Sequence, residues 1–306
     1  MSGAPVPGAV VGRRFSQVDV FSAEPLRGNP VAVVHDAEGL DEADMAAFAR
    51  WTNLSETTFL LPPTTPGADY RLRIFTPGRE LPFAGHPTLG SAHAWLEAGG
   101  EPGADGVVVQ ECGAGLVRLR RGERLAFAAP PLVRSGPVDE ADLAHVRRVL
   151  GAGPGGGPRD GSGVEVLDAA WVDNGPGWLG VLLADAAAVL SLEPDLAAFG
   201  DLKLGVVGVH PAGTSDADVE VRAFVPSLGV GEDPVTGSLN AGLAQWLAGD
   251  RLPSAYVASQ GTVLGRRGRV HVSTEAGPDG EPVVWVGGDT ATTVAGQVRL
   301  PAGPRR

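Results

Sequence analysis

Alternating apolar and polar positions, together with short continuous apolar runs, predict β-strands along most of this chain. In the first half they fall at residues 14–21, 31–34, 54–61 and 70–75, and in the second half at 204–209 and 219–224. Two stretches, 88–97 and 236–248, are instead small or apolar on nearly every side. A helix of this composition is typical of one that is enclosed by other structure. The pattern therefore predicts an α+β protein with two enclosed helices among strands.

The two apolar helices belong to a repeat. Each follows an Arg-x-Phe-x-Pro strand and a Pro-x-x-Gly-Ser loop, and each runs to a Trp-Leu pair. The first copy begins at Arg73 and has its loop at Pro87; the second begins at Arg222 and has its loop at Pro234. Matching elements in the same order, about half a chain apart, predict two related lobes. Each lobe presents a strand, a loop and a helix, with a cleft where the loops meet.

Composition narrows the class of protein. The 306 residues are 43% apolar, which is ample for real cores, and the net charge of −12 argues against a nucleic-acid partner. No stretch is long and apolar enough for a signal peptide or a membrane span, so we expect a soluble, cytoplasmic protein. Cys112 is the only cysteine, which excludes a disulfide framework. Lys203 is the only lysine, which weakens any Schiff-base mechanism.

The starts of the two apolar helices are candidate anion sites. Residues 85–88 and 233–238 are rich in glycine and proline, and a helix start offers free backbone N–H groups and a partial positive charge. Amides around Gly85 and Gly237 could bind a carboxylate and stabilise charge that develops beside it. The alternative is that both loops are ordinary helix caps. A third glycine-rich stretch, 151–163, lacks the Gly-Lys-Ser/Thr of a phosphate loop and is predicted to be a surface loop.

Three ionisable residues differ between the two halves. His86 lies in the first loop and Asp233 in the second, while Glu56 begins an otherwise apolar strand. A carboxylate at that position must be desolvated or paired, which suits a group that transfers protons. The structural alternatives are a helix-capping histidine and a solvent-facing strand end. His86 and His93 are two helical turns apart with no third ligand nearby, so no metal site is predicted.

Several long motifs then carry a resemblance to a known family. They include Gly28-Asn-Pro30, Leu54-Ser-Glu-Thr-Thr58, Glu80-Leu-Pro-Phe-Ala-Gly-His-Pro-Thr88, Glu232-Asp-Pro-Val-Thr-Gly-Ser238 and Gln260-Gly261. In this order, and over nearly the whole chain, they resemble the PhzF (phenazine biosynthesis-like) family. The resemblance implies the diaminopimelate epimerase-like fold. That fold has two pseudo-symmetric lobes, each a mostly antiparallel, barrel-like sheet around a central helix, with the active site in the cleft between them.

The resemblance also implies roles for particular residues. The family's founding enzyme is a trans-2,3-dihydro-3-hydroxyanthranilate isomerase whose glutamate in the Ser-Glu-Thr motif moves a proton, and Glu56 matches it. His86, Asp233 and Ser238 match residues that contact substrate or assist protonation there; His86 and Asp233 are expected to be catalytic and Ser238 to bind substrate. Ser55, Gly85 and Gly237 are further expected to bind substrate. No cofactor is implied.

The same fold also contains amino-acid racemases, which generally use two cysteines, one from each lobe. The loops of this chain hold none, so a two-thiol epimerase is excluded. Three hypotheses remain. The first is a cofactor-independent isomerase of a small carboxylate with Glu56 as the proton shuttle. The second is an epimerase, cyclase or lyase using Glu56 and Asp233. The third is a metabolite-binding protein without turnover.

The expected organisation follows from the repeat and the resemblance. We predict an N-terminal lobe of residues 1–116, closed by a C-terminal strand at about 290–306, and a second lobe of residues 117–289. The expected partner is a small-molecule carboxylate rather than nucleic acid or a membrane. By resemblance alone, the protein is also expected to be a homodimer.

Overall fold

A computed structural model describes residues 10–151, 165–277 and 279–302. The chain divides into two compact units, one formed by Met1–Phe127 with Asp289–Arg306 and the other by Ala128–Gly288. The structure thus places the first boundary at Phe127, beyond the expected residue 116, so that two further strands belong to the first unit. The predicted surface loop at 151–163 lies, except for Gly151, outside the described residues.

The described residues form eighteen β-strands and five α-helices. Those up to the first boundary are β1 (Val10–Val20), β2 (Asn29–Val34), α1 (Glu42–Thr52), β3 (Glu56–Leu61), β4 (Tyr70–Phe75), β5 (Glu80–Leu81), α2 (Gly85–Glu97), β6 (Val107–Cys112), β7 (Gly115–Arg121) and β8 (Leu125–Ala128). Those that follow are β9 (Arg134–Pro137), α3 (Glu140–Val149), β10 (Val166–Asp173), β11 (Trp178–Leu183), α4 (Ala186–Leu190), β12 (Lys203–Val209), β13 (Val219–Phe224), β14 (Glu232–Asp233), α5 (Gly237–Leu247), β15 (Ala255–Gln260), β16 (Gly268–Ala276), β17 (Pro282–Gly288) and β18 (Thr290–Pro301).

The strands of the first unit form one row in the order β18-β1-β2-β3-β4-β6-β7-β8. Neighbours are antiparallel except for the β2–β3 and β4–β6 pairs, and the short β5 adds to β4. β18 pairs with β1 along the full length of that strand, so the C-terminal segment closes the first unit. The strands read from the alternating pattern are all present.

The second unit repeats this order as β9-β10-β11-β12-β13-β15-β16-β17. Its two parallel pairs, β11–β12 and β13–β15, stand at the same places in the row, and β14 adds to β13 as β5 does to β4. β9, which the sequence pattern did not reveal, takes the position that β18 has in the first unit. The predicted two-fold repeat of an α+β unit is therefore confirmed.

Each unit wraps its sheet around one apolar helix. α2 packs against β1, β2, β3, β6 and β18, and α5 packs against β10 and β11 as well as β16 and β17, which stand at the two ends of the second row. One helix can touch both ends of a row only if the sheet curls round it. Glycine permits the close approach: a Cβ on Gly90 would lie 2.4 Å from Val31 Cγ1, and one on Gly242 would lie 2.3 Å from the Val172 carbonyl oxygen.

The start of α2 differs from the sequence prediction. The helix begins at Gly85 rather than residue 88, because proline is tolerated in the first turn of a helix and Pro87 does not interrupt it. α5 begins at Gly237, with Pro234 outside the helix. The Pro-x-x-Gly-Ser motifs are therefore not structurally equivalent. The equivalent residues are Gly85 with Gly237 and His86 with Ser238, as first and second residues of their helices.

Aspartate side chains cap two of the peripheral helices. Asp41 precedes α1 and accepts from the Asp44 backbone N–H at 2.8 Å, and Asn53, in the left-handed conformation, follows the last residue of α1. Asp139 caps α3 in the same way through the Asp142 N–H. A side chain that accepts from a first-turn N–H satisfies a donor that the helix itself cannot. No helix in the described ranges is both long and apolar enough to cross a membrane.

Candidate active site

The first unit brings Glu56 against His86. Glu56 is the first residue of β3, and His86 is the second residue of α2. Their Oε2 and Nε2 atoms are 3.3 Å apart, and the side chains are only 15% and 7% exposed. Two residues that are thirty apart in sequence therefore form one largely enclosed pair of ionisable groups. Gly85 is buried beside them, and Ser55 lies partly exposed just before β3.

Burial keeps His86 neutral. Desolvation lowers the pKa of its imidazole from 6.5 to about 3, and a weaker contribution from the Pro30 backbone acts in the opposite direction. At neutral pH the ring therefore has one N–H and one acceptor nitrogen. Asn29 Nδ2 lies 3.4 Å from His86 Nδ1. The Pro30 backbone also forms a hydrogen bond with the ring, so residues 29 and 30 together hold the imidazole beside Glu56.

The loop before β2 positions Asn29. Asp19, at 2% exposure, accepts through Oδ2 from the N–H groups of Arg27 and Gly28 at 2.8 and 3.0 Å. Gly28 cannot be replaced easily, because a Cβ there would lie 2.2 Å from the Val20 carbonyl oxygen. Asn29 itself is fully buried. A carboxylate and a glycine thus place the amide that contacts His86.

Buried hydroxyl and amide groups fix the first half of α2. Ser91 donates to Thr58 Oγ1 at 2.8 Å, which ties the helix to β3 two residues beyond Glu56. Gln110 on β6 donates to Thr88 Oγ1 at 3.0 Å and accepts from the Tyr70 hydroxyl at 3.1 Å. All of these side chains are at most 2% exposed. The start of α2 is therefore held rigidly against the strand that carries Glu56.

The second unit places Asp233 in a comparable network. Thr236 precedes α5 and donates its hydroxyl to Asp233 Oδ2 at 2.5 Å. Gln260 is fully buried; it donates to Thr236 Oγ1 and the Asp233 carbonyl, and its Oε1 accepts from the Thr236 N–H and from Asn240. This one amide uses donors and acceptor to fix the turn between Asp233 and the helix.

Asp233 is also fixed from the strand side. Glu232, its neighbour on β14, receives two hydrogen bonds from Arg222 at 3.0 and 2.8 Å. Arg222 further donates to the carbonyls of Val189 and Leu192, and its side chain is 5% exposed. The Arg-x-Phe-x-Pro motif therefore serves to hold the short strand before each central helix. In the first unit Arg73 binds Glu80 in the same manner.

Ser238, the second residue of α5, is contacted by an asparagine as His86 is. Asn174 donates to the Ser238 carbonyl at 2.8 Å, and Trp178 Nε1 donates to its hydroxyl at 3.0 Å. Asp173 accepts from the N–H groups of Gly175 and Gly177, just as Asp19 does in the first unit. The two units therefore share one supporting design around different residues at the helix start.

The predicted residues fall into two sets. Glu56, His86, Gly85 and Ser55 lie at one helix start, and Asp233, Gly237 and Ser238 at the other. Sequence patterns singled out none of the residues that position them: Asn29, Thr236, Gln260, Asn174 and Trp178. Asn29, Thr236 and Gln260 lie within the family motifs, and the equivalent positions of Asp19 and Asp173 in the two halves are a further signal. Cys112 is the last residue of β6, and no cluster of three metal-ligating side chains occurs among the described residues.

The fold and the two helix-start sites define the class of protein. A central helix inside each of two repeated, curled sheets is the diaminopimelate epimerase-like fold. A crystal structure of a phenazine biosynthesis PhzF family protein from Enterococcus faecalis matches the chain with a TM-score of 0.75 and 25% identity, covering 94% of this chain and 99% of that one.

The family follows from the sequence comparisons. The model of the PhzC-PhzF family, described as phenazine biosynthesis-like protein, matches residues 18–296. The chain is 34% identical over 293 residues to trans-2,3-dihydro-3-hydroxyanthranilate isomerase of Pseudomonas aeruginosa, covering 94% of this chain and 99% of the relative. It is 38% identical over 295 residues to a Schizosaccharomyces pombe protein named antisense-enhancing sequence 1, covering 92% and 97%. The chain belongs to the PhzC-PhzF family and is an isomerase.

Proposed function

We propose that this protein is a cofactor-independent isomerase that moves a proton along a small, unsaturated carboxylate, with Glu56 as the proton shuttle. The observation that carries the proposal is the contact of 3.3 Å between Glu56 and the buried, neutral imidazole of His86. One strong base can remove a proton from carbon and return it to another carbon on the same face. That sequence shifts a double bond without inverting a centre.

The proton transfer needs only the substrate and the Glu56 carboxylate. A C–H bond breaks and its proton goes to the Glu56 carboxylate, while the electron pair moves into the adjacent π system. The double bond shifts, the same carboxyl group returns the proton to the far carbon, and a new C–H bond forms. Backbone N–H groups of Gly85 and His86, which the first turn of α2 leaves without helical partners, stabilise the negative charge that develops.

His86 acts in this proposal as a neutral group that positions Glu56 and not as an acid. A group whose pKa is about 3 holds almost no proton to give at neutral pH beyond that of its neutral ring. The buried ring, with Nε2 at 3.3 Å from Glu56 Oε2, limits where the carboxylate can lie, and Asn29 contacts the ring through Nδ1. The loss of His86 should therefore misplace the base.

Asp233, Gly237, Ser238 and Ser55 are proposed to orient substrate. The Asp233 carboxylate is held by Thr236 at 2.5 Å, and Ser238 follows the first residue of α5. The relative from Pseudomonas aeruginosa is named for trans-2,3-dihydro-3-hydroxyanthranilate. That compound is accordingly the first substrate to try, followed by other small cyclic carboxylates.

The test is turnover in D2O with product analysis by NMR and mass spectrometry. We expect a shifted double bond with the label at the new C–H, and a rate about 10²–10⁴-fold lower in Glu56→Gln. Glu97→Gln, an exposed carboxylate at the end of α2, is the matched control and should retain activity. Full turnover by Glu56→Gln would refute the assigned role. Inversion of a single carbon, labelled on the opposite face, would indicate an epimerase that uses Asp233 as a second base.

Two further properties are proposed on family resemblance. The protein is expected to form a homodimer, which light scattering on the purified chain will test: a mass near twice 31.3 kDa supports it and a mass near 31.3 kDa contradicts it. No cofactor should be needed, so the activity should survive exhaustive dialysis against a chelator.

A further inference from the structure

A cavity lies in the first unit, away from Glu56. Its volume is about 230 Å³, and its walls include Glu38, Leu40, Met45, Leu61, Arg71 and Arg73. It is smaller than the pockets of about 300–1,000 Å³ that hold drug-sized ligands. Its size is that of a small metabolite.

The cavity is separate from the candidate active site. Glu56 begins β3 and Leu61 ends it, and five residues of extended chain span roughly 17 Å. Side chains alternate along a strand, so these two point to opposite faces of the sheet. Thr58, on the Glu56 face, contacts Ser91 of α2, whereas Phe59 and Leu61 join the apolar cluster that includes Met45 and Phe48 of α1. The cavity therefore opens on the α1 side.

One of its two arginines is already neutralised. Arg73 binds Glu80 through Nε and Nη2 at 2.7 and 2.6 Å, and Nη2 also reaches Glu42 at 3.0 Å. These carboxylates raise the pKa of the Arg73 guanidinium. Arg73 therefore lines the cavity, but its positive charge is already paired with carboxylates of the protein.

Arg71 lacks such a partner in the described structure. Its Nε is buried and forms no hydrogen bond among the described residues. Glu111 stands opposite it in the β4–β6 pair, but that carboxylate accepts from the Thr64 N–H and hydroxyl and from the Thr65 N–H. These hydrogen bonds lower the pKa of Glu111 to about 2. The nearest acid in register is thus committed to the loop after β3.

The second unit shows how the same position can be closed. Glu220 precedes Arg222 by two residues on β13, as Arg71 precedes Arg73 on β4. Glu220 is 1% exposed and contacts His210 Nε2 at 3.2 Å, so its charge meets a side chain of the protein. At the corresponding position of the first unit, the positively charged Arg71 lines a cavity instead.

We propose that this cavity is a second binding site, for a small aliphatic monocarboxylate. The planar guanidinium of Arg71 would bind the carboxylate with paired hydrogen bonds, which supply the acceptor that its buried Nε lacks. Leu40, Met45 and Leu61, each at most 8% exposed, provide an apolar floor for the hydrocarbon body. Glu38 at the wall and Glu42 beside Arg73 disfavour a dianion such as phosphate.

Binding of 4-methylpentanoate, with 4-methylpentanamide as the uncharged control, tests this site by titration calorimetry and saturation-transfer NMR. We expect the acid to bind and the amide not to. Arg71→Gln should weaken binding at least about tenfold, the loss expected for a hydrogen-bonded charged group. Arg118→Gln, an exposed arginine on β7, is the matched control and should bind as the wild type does. Glu56→Gln should also retain binding, which separates this site from the proposed active site.

A second measurement covers the case in which Arg71→Gln does not fold. The arginine Nε–Hε signals of the wild type, with that of Arg71 assigned by its absence in Arg71→Lys, should include one that shifts on addition of 4-methylpentanoate. The proposal is overturned if the acid binds equally to Arg71→Gln, if the amide binds as well as the acid, or if no Arg71 signal moves at saturating acid.

Discussion

The buried imidazole of His86 should make the protein sensitive to mild acid. Its pKa is about 3 in the folded protein and about 6.5 when unfolded, so below pH 6.5 protons bind the unfolded chain preferentially. The stability that depends on a neutral His86 is thus complete above pH 6.5 and is lost as the pH falls towards 3. Integrating the proton difference from pH 7.5 to 5 gives a loss of about 2 kcal/mol from this residue alone.

The assay compares wild type and His86→Gln by urea unfolding at both pH values. We expect the stability gap between pH 7.5 and 5 to be about 2 kcal/mol smaller in the variant, because glutamine does not titrate. His35→Gln should narrow the gap less, since burial lowers the pKa of His35 by an amount that falls short of the His86 shift. Equal gaps in wild type and His86→Gln, or an imidazole signal of His86 that titrates near pH 6.5, would refute the argument.

The remaining predictions concern packing and positioning, each measured by urea unfolding. Gly90→Ala should lower the free energy of unfolding by roughly 1–3 kcal/mol, and Val31→Ala should partly restore it by removing the side-chain clash. Gly242→Ala should lower it by more, because its Cβ meets a backbone carbonyl that cannot be trimmed. Equal losses in the two variants would contradict these contacts. Arg222→Met should lower the free energy of unfolding by about 3–5 kcal/mol, because it leaves the largely buried Glu232 carboxylate without its ion-pair partner. Arg73→Met should lower it by about 1 kcal/mol or less, because the Arg73 ion pairs are more exposed. The reverse order would contradict this difference in burial. Gln260→Leu should lower the free energy of unfolding by at least about 2 kcal/mol and slow turnover, because the Thr236 N–H and the Asn240 amide lose their acceptor. The control Gln245→Leu, which loses one hydrogen bond to Pro130, should lower it by less. Equal losses in the two variants would contradict the role of Gln260 in fixing the turn.

Much of the fold could be predicted because the strands and helices follow from the local pattern of apolar and polar residues. Alternating and continuous apolar runs locate strands, and aspartates such as Asp41 and Asp139 are typical residues before a helix, where the structure finds them. The short strands β5, β9 and β14 were not predicted because two to four residues carry no period, and the six-residue β15 was not predicted either. The boundary near Phe127 was missed because β7 and β8 are held in the first unit by pairing, which composition does not record.

The candidate site was predictable only in part. Glu56 and His86 were found as chemical anomalies within motifs, and their contact at 3.3 Å exists because β3 runs beside α2. Asn29 and Gln260 were not identified from the sequence as positioning residues, because an amide in a loop or at a strand end has no distinguishing pattern before its partners are known. The roles of Ser55, Asp233, Gly237 and Ser238 stay predictions that the proposed substitutions and turnover assays must test.

By itself the sequence determined that two apolar helices are enclosed, that the chain repeats, and that one carboxylate lies outside the repeat. These facts follow from composition and periodicity, which each segment carries alone. Only the tertiary structure decided that α2 begins at Gly85, so that His86 and Ser238 are equivalent, and that burial keeps the His86 ring neutral. A proline can stand inside a first helical turn or before it, and a pKa depends on what surrounds the group; packing settles both.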